Sequence, residues 1–210
     1  MSDEDLLHSH VLKTIGTSPT QWPGGWPNEI EAALIDAVFS VRARYGSRER
    51  KTGVYGAVLR WRAHRGEPAD DLRILAQTSE DLLRGITNGG KIGRRRKADV
   101  VIDAARALAD VDVIHARDFG TRQVAAREAY LSVNGCGPVT WSYFRMLLDF
   151  DDVKPDTWVM RFIQDELPNV STPAEASTLV TAVAARLGVQ ARQLDHAIWR
   201  YRRDQPRKPI

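Results

Sequence analysis

The chain has 210 residues, 43% hydrophobic and 27% charged, the composition of a globular protein of one domain or two small lobes, which excludes a disordered or fibrous chain. Thirty Lys and Arg against 27 Asp and Glu leave a net charge of +3, too weak by itself to name a nucleic-acid partner. A single cysteine, Cys136, excludes an intrachain disulfide and a cysteine-held zinc or iron–sulfur site within one chain.

The N-terminus, Met1-Ser2-Asp3-Glu4-Asp5, is acidic and has no apolar run of the kind a signal peptide needs. No stretch approaches the length of a membrane span, so the expectation is a cytoplasmic protein without a membrane partner. Residues 1–28, with Gly24-Gly25 and three prolines, read as an irregular arm around a short helix. Asn28 is the expected N-cap of the first strong helix, with Glu29 and Glu31 in its acidic first turn and Gly46 as its stop. Ile30, Ala33, Leu34, Ala37, Val38 and Val41 form its apolar face. Further helices are expected over 49–64, 70–76 and 80–86, the last capped by Ser79. After the turn Thr87-Asn88-Gly89-Gly90, a helix over 95–109 faces inward through Ala98, Val101, Ile102, Ala105 and Leu108.

A helix over 121–131 leads to Val133-Asn134-Gly135-Cys136-Gly137-Pro138 and a helix from Val139 to Leu148. Helix, Gly-x-Gly, helix is a tight hairpin; proline costs nothing in a first helical turn, and the N–H groups exposed there suit a phosphate. The same residues also fit an ordinary helix–helix turn with glycine at its C-cap. Val153-Lys154-Pro155-Asp156-Thr157 opens the next helix. Thr172-Pro173-Ala174-Glu175 is a capping box for a helix ending at Gly188, and a last helix covers 191–203. Strand patterning is almost absent, so the expected class is all-α. Basic residues cluster at Arg94-Arg95-Arg96-Lys97 and at Arg200, Arg202, Arg203, Arg207 and Lys208.

The hairpin, followed about 17 residues later by Pro-Asp-Thr, resembles the helix-hairpin-helix DNA glycosylase superfamily, endonuclease III-like members included. The resemblance extends to Leu34-Ile35-Asp36-Ala37-Val38-Phe39-Ser40-Val41-Arg42, to Gly93–Val101 and to Leu194-Asp195-His196-Ala197-Ile198-Trp199, in the family's order over about 29–203. It implies two interleaved helical lobes, a central one over about 40–150 and a second from 29–39 plus 151–210. It also implies excision of a damaged or mismatched base from duplex DNA.

By that resemblance Asp156 is the catalytic carboxylate, stabilising the sugar cation and orienting water; read alone, it is also an ordinary N-cap. Asn134, Gly135, Cys136, Gly137, Val139 and Thr140 are expected on the DNA backbone, together with Lys97. Arg42 falls where the family fills the gap left by a flipped base. Lys97 with its arginine neighbours also fits a solvated basic face, and Arg42 a solvated helix residue. Trp158, Trp141 and Tyr143 are candidates for stacking on the base, although such aromatics are commonly core. The family's lyase lysine is replaced by Val139, which forms no imine, so the expectation is a glycosylase without lyase activity, Lys154 being the other amine near the site. Trp158 stands where the family often has histidine. The resemblance implies no cofactor and no iron–sulfur cluster, but a monovalent cation on hairpin carbonyls. His64, His115 and His196 are scattered singly and do not form a metal site. The expected state is a monomer, nucleoid-associated if prokaryotic. The competing readings are an inert hairpin DNA-binding protein and a helical protein-interaction module.

Overall fold

The computed structural model describes residues 1–47, 49–66 and 68–205. Arg207 and Lys208 of the C-terminal basic cluster lie outside the described residues. In chain order the helices are α1 (Asp3–Thr14), α2 (Ile30–Phe39), α3 (Gly53–Arg65), α4 (Leu72–Gln77), α5 (Glu80–Ile86), α6 (Lys97–Ala109), α7 (Ala116–Phe119), α8 (Gln123–Ser132), α9 (Pro138–Leu147), α10 (Thr157–Gln164), α11 (Pro173–Arg186) and α12 (Ala191–Asp204). A two-residue ribbon, β1 (Lys91–Ile92) with β2 (Arg95–Arg96), pairs antiparallel with Lys91 opposite Arg96 and Ile92 opposite Arg95. Among the described residues, no helix is long and apolar enough to cross a membrane.

The chain divides into two compact units, one of Met1–Gly24 with the described residues from Phe150 on, the other of Gly25–Asp149. This departs from the expected partition. Residues 29–39 group with 25–149, because α2 packs on α3, α4, α6 and α9. The arm contains a full helix, α1, opened by a Ser2–Asp5 capping box and packed on α11.

In the first unit the core gathers Leu7 and Val11 of α1, Val159, Phe162 and Ile163 of α10, Val180 and Val183 of α11, and Leu194 and Ile198 of α12. Apolar residues recur on these helices at spacings of three and four, so each turns one stripe inward. In the second unit all ten residues of α2 are buried, Glu31 and Asp36 included. Glu31 accepts from Trp61 Nε1 at 2.9 Å, from the Arg65 guanidinium at 3.0 and 3.1 Å and from the Asp71 N–H at 2.8 Å. Asp36 accepts from Trp26 Nε1 at 2.9 Å, from the Tyr45 hydroxyl at 2.8 Å and from the Tyr143 hydroxyl at 3.3 Å.

Asn28 is not the N-cap of α2; Glu29 is, and it makes no side-chain cap bond. The cap comes from elsewhere: Asp70 Oδ1 accepts the Ile30 N–H at 3.0 Å and the Ala69 carbonyl accepts the Glu31 N–H. The helix also stops well before Gly46, at Phe39, and Arg42 lies in a turn with φ 47° rather than in a helix.

Lys97 explains that stop and corrects its own expected role. It is 4% exposed, and its Nζ donates to the carbonyls of Phe39 (2.8 Å) and Val41 (2.6 Å). Carbonyls at a helix C-terminus have no partner within the helix, and a lysine amine supplies one. Burial pulls the ammonium pKa below the usual lysine value. A side chain enclosed in this way is not a phosphate ligand. Lys97→Met is therefore expected to lower the unfolding free energy by about 2–3 kcal/mol in urea titrations, since it strands two carbonyls. A variant as stable as the parent would return Lys97 to the surface.

Candidate functional site

The Gly-x-Gly hairpin joins α8 to α9 in the second unit. Gly135 has φ 107°, and a Cβ there would come within 2.9 Å of Val100 Cγ2 on α6, so both backbone and packing demand glycine. Gly137 differs. Its φ of −151° is ordinary extended backbone, and a Cβ would meet nothing within 4 Å. Folding does not demand glycine at that position, and the missing side chain leaves the start of α9 uncovered.

Not every hairpin N–H can serve a ligand. Cys136 N–H is spent on the Val133 carbonyl at 2.9 Å, and Gly137 N–H on Thr140 Oγ1 at 3.0 Å. Among the described residues, the N–H groups of Gly135, Val139 and Thr140 make no hydrogen bond. The donor set is thus narrower than the run of residues expected from sequence: Cys136 and Gly137 shape the turn, while Gly135, Val139 and Thr140 retain donors. Asn134 is exposed, and its carbonyl accepts from Arg95 at 2.7 Å. The Cys136 thiol is pushed up to about 11, chiefly by burial; it is the wrong group for an exposed nucleophile.

The resemblance implies a monovalent cation on hairpin carbonyls, and two of the hairpin carbonyls already have donors. The Val133 carbonyl already has an N–H, and the Asn134 carbonyl is held by a guanidinium that carries the positive charge itself.

The aromatic candidates separate. Trp141 is 5% exposed and sits among Phe119, Tyr130 and Phe144 at ring centroid distances of 5.3, 5.5 and 6.1 Å. Tyr143 is 6% exposed, with its hydroxyl on Asp36. Both are core residues of the second unit, because α9 turns an aromatic face onto α8 and α2, and neither is a base-stacking surface. Trp158 is half-buried on α10 of the first unit and keeps its candidacy. Arg42 is exposed.

In the first unit Asp156 is the N-cap of α10. Its Oδ1 accepts the N–H groups of Trp158 at 2.8 Å and Val159 at 3.3 Å. Both bonds fall on one oxygen, so Oδ2 has no capping duty. The loop that delivers Asp156 is fastened to α12 in both directions. Asp151 accepts the N–H groups of Ala191 (3.1 Å) and Arg192 (2.9 Å), standing in as a cap for α12, and Asp195 Oδ1 on α12 accepts the Lys154 N–H at 2.9 Å.

Asp195 was not among the site residues read from sequence. It is 4% exposed, and burial first, then the nearby Asp156 carboxylate, raise its pKa well above the usual range. The only trace of it in the sequence was the Leu194–Trp199 motif, which names the residue without showing that it is buried beneath the loop. Among the described residues no cluster of His, Cys, Asp or Glu could hold a metal ion.

A family model described as "Domain of unknown function (DUF8548)" matches residues 6–203. No curated protein matches the sequence. A solved structure described as MBOgg1 in complex with a low-affinity DNA ligand is similar at a TM-score of 0.59 and 14% identity, over 95% of this chain and 66% of that one. The chain thus spans just under two thirds of that neighbour's length and shares its fold, which is of the all-α class expected from sequence.

Two measurements test the site geometry. Gly135→Ala is expected to cost about 1–3 kcal/mol of stability, whereas Gly137→Ala costs under about 0.5 kcal/mol; similar losses at both glycines would contradict the distinction. Because the folded pKa of Asp195 is raised, its contribution to stability is complete below the unfolded carboxylate value and is lost as pH rises through the folded one. The melting temperature of Asp195→Asn relative to the parent should therefore be more favourable at pH 8 than at pH 4, and a pH-independent difference would refute the raised pKa.

Proposed function

The chain belongs to the DUF8548 family, and we propose that it is a monofunctional DNA glycosylase, hydrolysing the N-glycosidic bond of a damaged or mismatched base in duplex DNA. The observation that carries this reading is the hairpin, where the N–H groups of Gly135, Val139 and Thr140 are unspent at the start of α9 and no side chain at Gly137 covers them. Such donors suit a phosphate oxygen and fix the register of a duplex without reading its sequence. The fold shared with a protein solved with a DNA ligand supports the same partner. Fold alone does not specify chemistry, so the reaction rests on the carboxylate.

As the base departs with the electron pair of the glycosidic bond, positive charge builds on the sugar. A carboxylate facing that charge stabilises it and orients a water. The water oxygen bonds to C1′, its proton passes to Asp156 Oδ2, and the base nitrogen finally takes up a proton from solvent. One Asp156 oxygen holds the helix cap while the other does this work. Val139 stands at the lyase position and cannot form an imine, so the strand is left with an abasic site. Trp158, adjacent in the cap, is the candidate for holding the extruded base, and exposed Arg42 for filling the gap it leaves.

Asp156→Asn keeps the capping oxygen and should keep the fold and the duplex affinity, within about 2-fold, while single-turnover excision falls about 100-fold or more. Equal excision by variant and parent would remove Asp156 from the chemistry. Borohydride is expected to trap no covalent protein–DNA adduct, and a trapped adduct would point to Lys154 or another lysine.

A further inference from the structure

Four consecutive basic residues, Arg94 to Lys97, have three different fates. Arg94 and Arg96 are exposed, Lys97 is sealed against the end of α2, and Arg95 is turned onto the hairpin. The β1–β2 ribbon sets this alternation, since consecutive strand residues face opposite ways.

We propose that Arg95 is the hairpin's own cation, its guanidinium doing at the turn what a bound monovalent metal ion would do, so that the hairpin engages phosphate without recruiting one. The inference rests on the proposed phosphate contact of the hairpin and adds how that hairpin is kept in shape. One Arg95 nitrogen donates to the Asn134 carbonyl at 2.7 Å. A second, Nη2, is paired with Asp103 on α6, which also holds Arg106 at 3.0 Å. The Arg95 side chain is 28% exposed, so it is a clamped group rather than a waving surface arginine.

The arrangement has two consequences. A carbonyl in the turn is satisfied by a charge-assisted bond, stronger than one to water or to a neutral donor. The same guanidinium also ties the hairpin to α6 through Asp103. Arg95 is thus a positioning residue, acting on the ligand through the hairpin.

The test compares potassium, sodium and tetramethylammonium chloride at one ionic strength, following both the melting temperature of the free protein and duplex affinity by fluorescence anisotropy. For the parent, melting temperature and affinity should be indifferent to the cation, affinity varying less than about 2-fold. Arg95→Met should bind about 10-fold more weakly in tetramethylammonium. Potassium should restore part of both its affinity and its melting temperature, because the vacated carbonyl then recruits a metal ion. Arg95→Lys should fall between the two. A parent whose melting temperature or affinity depends on potassium overturns the proposal, and so does an Arg95→Met protein as stable and as cation-indifferent as the parent. Failure of the parent to bind duplex in any of the salts would instead sink the proposed function. The melting-temperature comparison would then still decide whether Arg95 substitutes for a metal ion.

Discussion

All ten residues of α2 are withdrawn from water, and two of them, Glu31 and Asp36, carry carboxylates. Burying a charge is expensive unless it is paired and hydrogen-bonded, and removing one partner costs more than the pair is worth. The second unit meets that demand by sending groups from every side. Trp61 and Arg65 come from α3 and the Asp71 N–H from the start of α4, while Trp26, Tyr45 and Tyr143 converge on Asp36. The two ends of α2 are closed by Asp70 and Lys97. Because Tyr143 belongs to α9, the same constraint that satisfies α2 also fixes the helix whose first turn carries the hairpin. Its position therefore depends on charges buried a helix away.

The first unit solves a related problem on its loop 151–156. A segment bearing three aspartates would repel itself in isolation. Asp151 is spent on the N-terminus of α12, Asp156 on that of α10, and the Lys154 N–H is held by Asp195. Two helix N-termini so placed receive negative charge where their dipoles favour it. Asp195, buried and raised in pKa, favours its neutral form beside Asp156.

What could be read from the sequence was local. The Thr172–Glu175 capping box, the Ser79 cap and the inward face of α6 all form as their residues dictate, because each is completed within a few positions. Readings that depended on distant partners failed. Asn28 lost the cap of α2 to Asp70, and Lys97 left the basic run for carbonyls more than fifty residues away. Trp141 and Tyr143 stand in a helix that turns them inward, which the sequence around the hairpin does not reveal. Asp195 and Arg95 were visible as letters in motifs, but their roles depend on contacts 41 and 39 residues away. The helix α6 opens at Lys97, directly after the ribbon, and Arg95 on the ribbon reaches the hairpin.

The proposed reaction is hydrolysis of a base from its sugar, with Asp156 as the carboxylate. Its most direct test incubates saturating protein with end-labelled duplexes carrying uracil, an oxidised purine, an alkylated purine or a mismatched thymine, and weighs released bases by mass spectrometry. The account predicts that at least one duplex sheds a free base while its strand stays whole until treated with alkali. Bound duplexes that all keep every base, or strands that break before alkali is added, would contradict it.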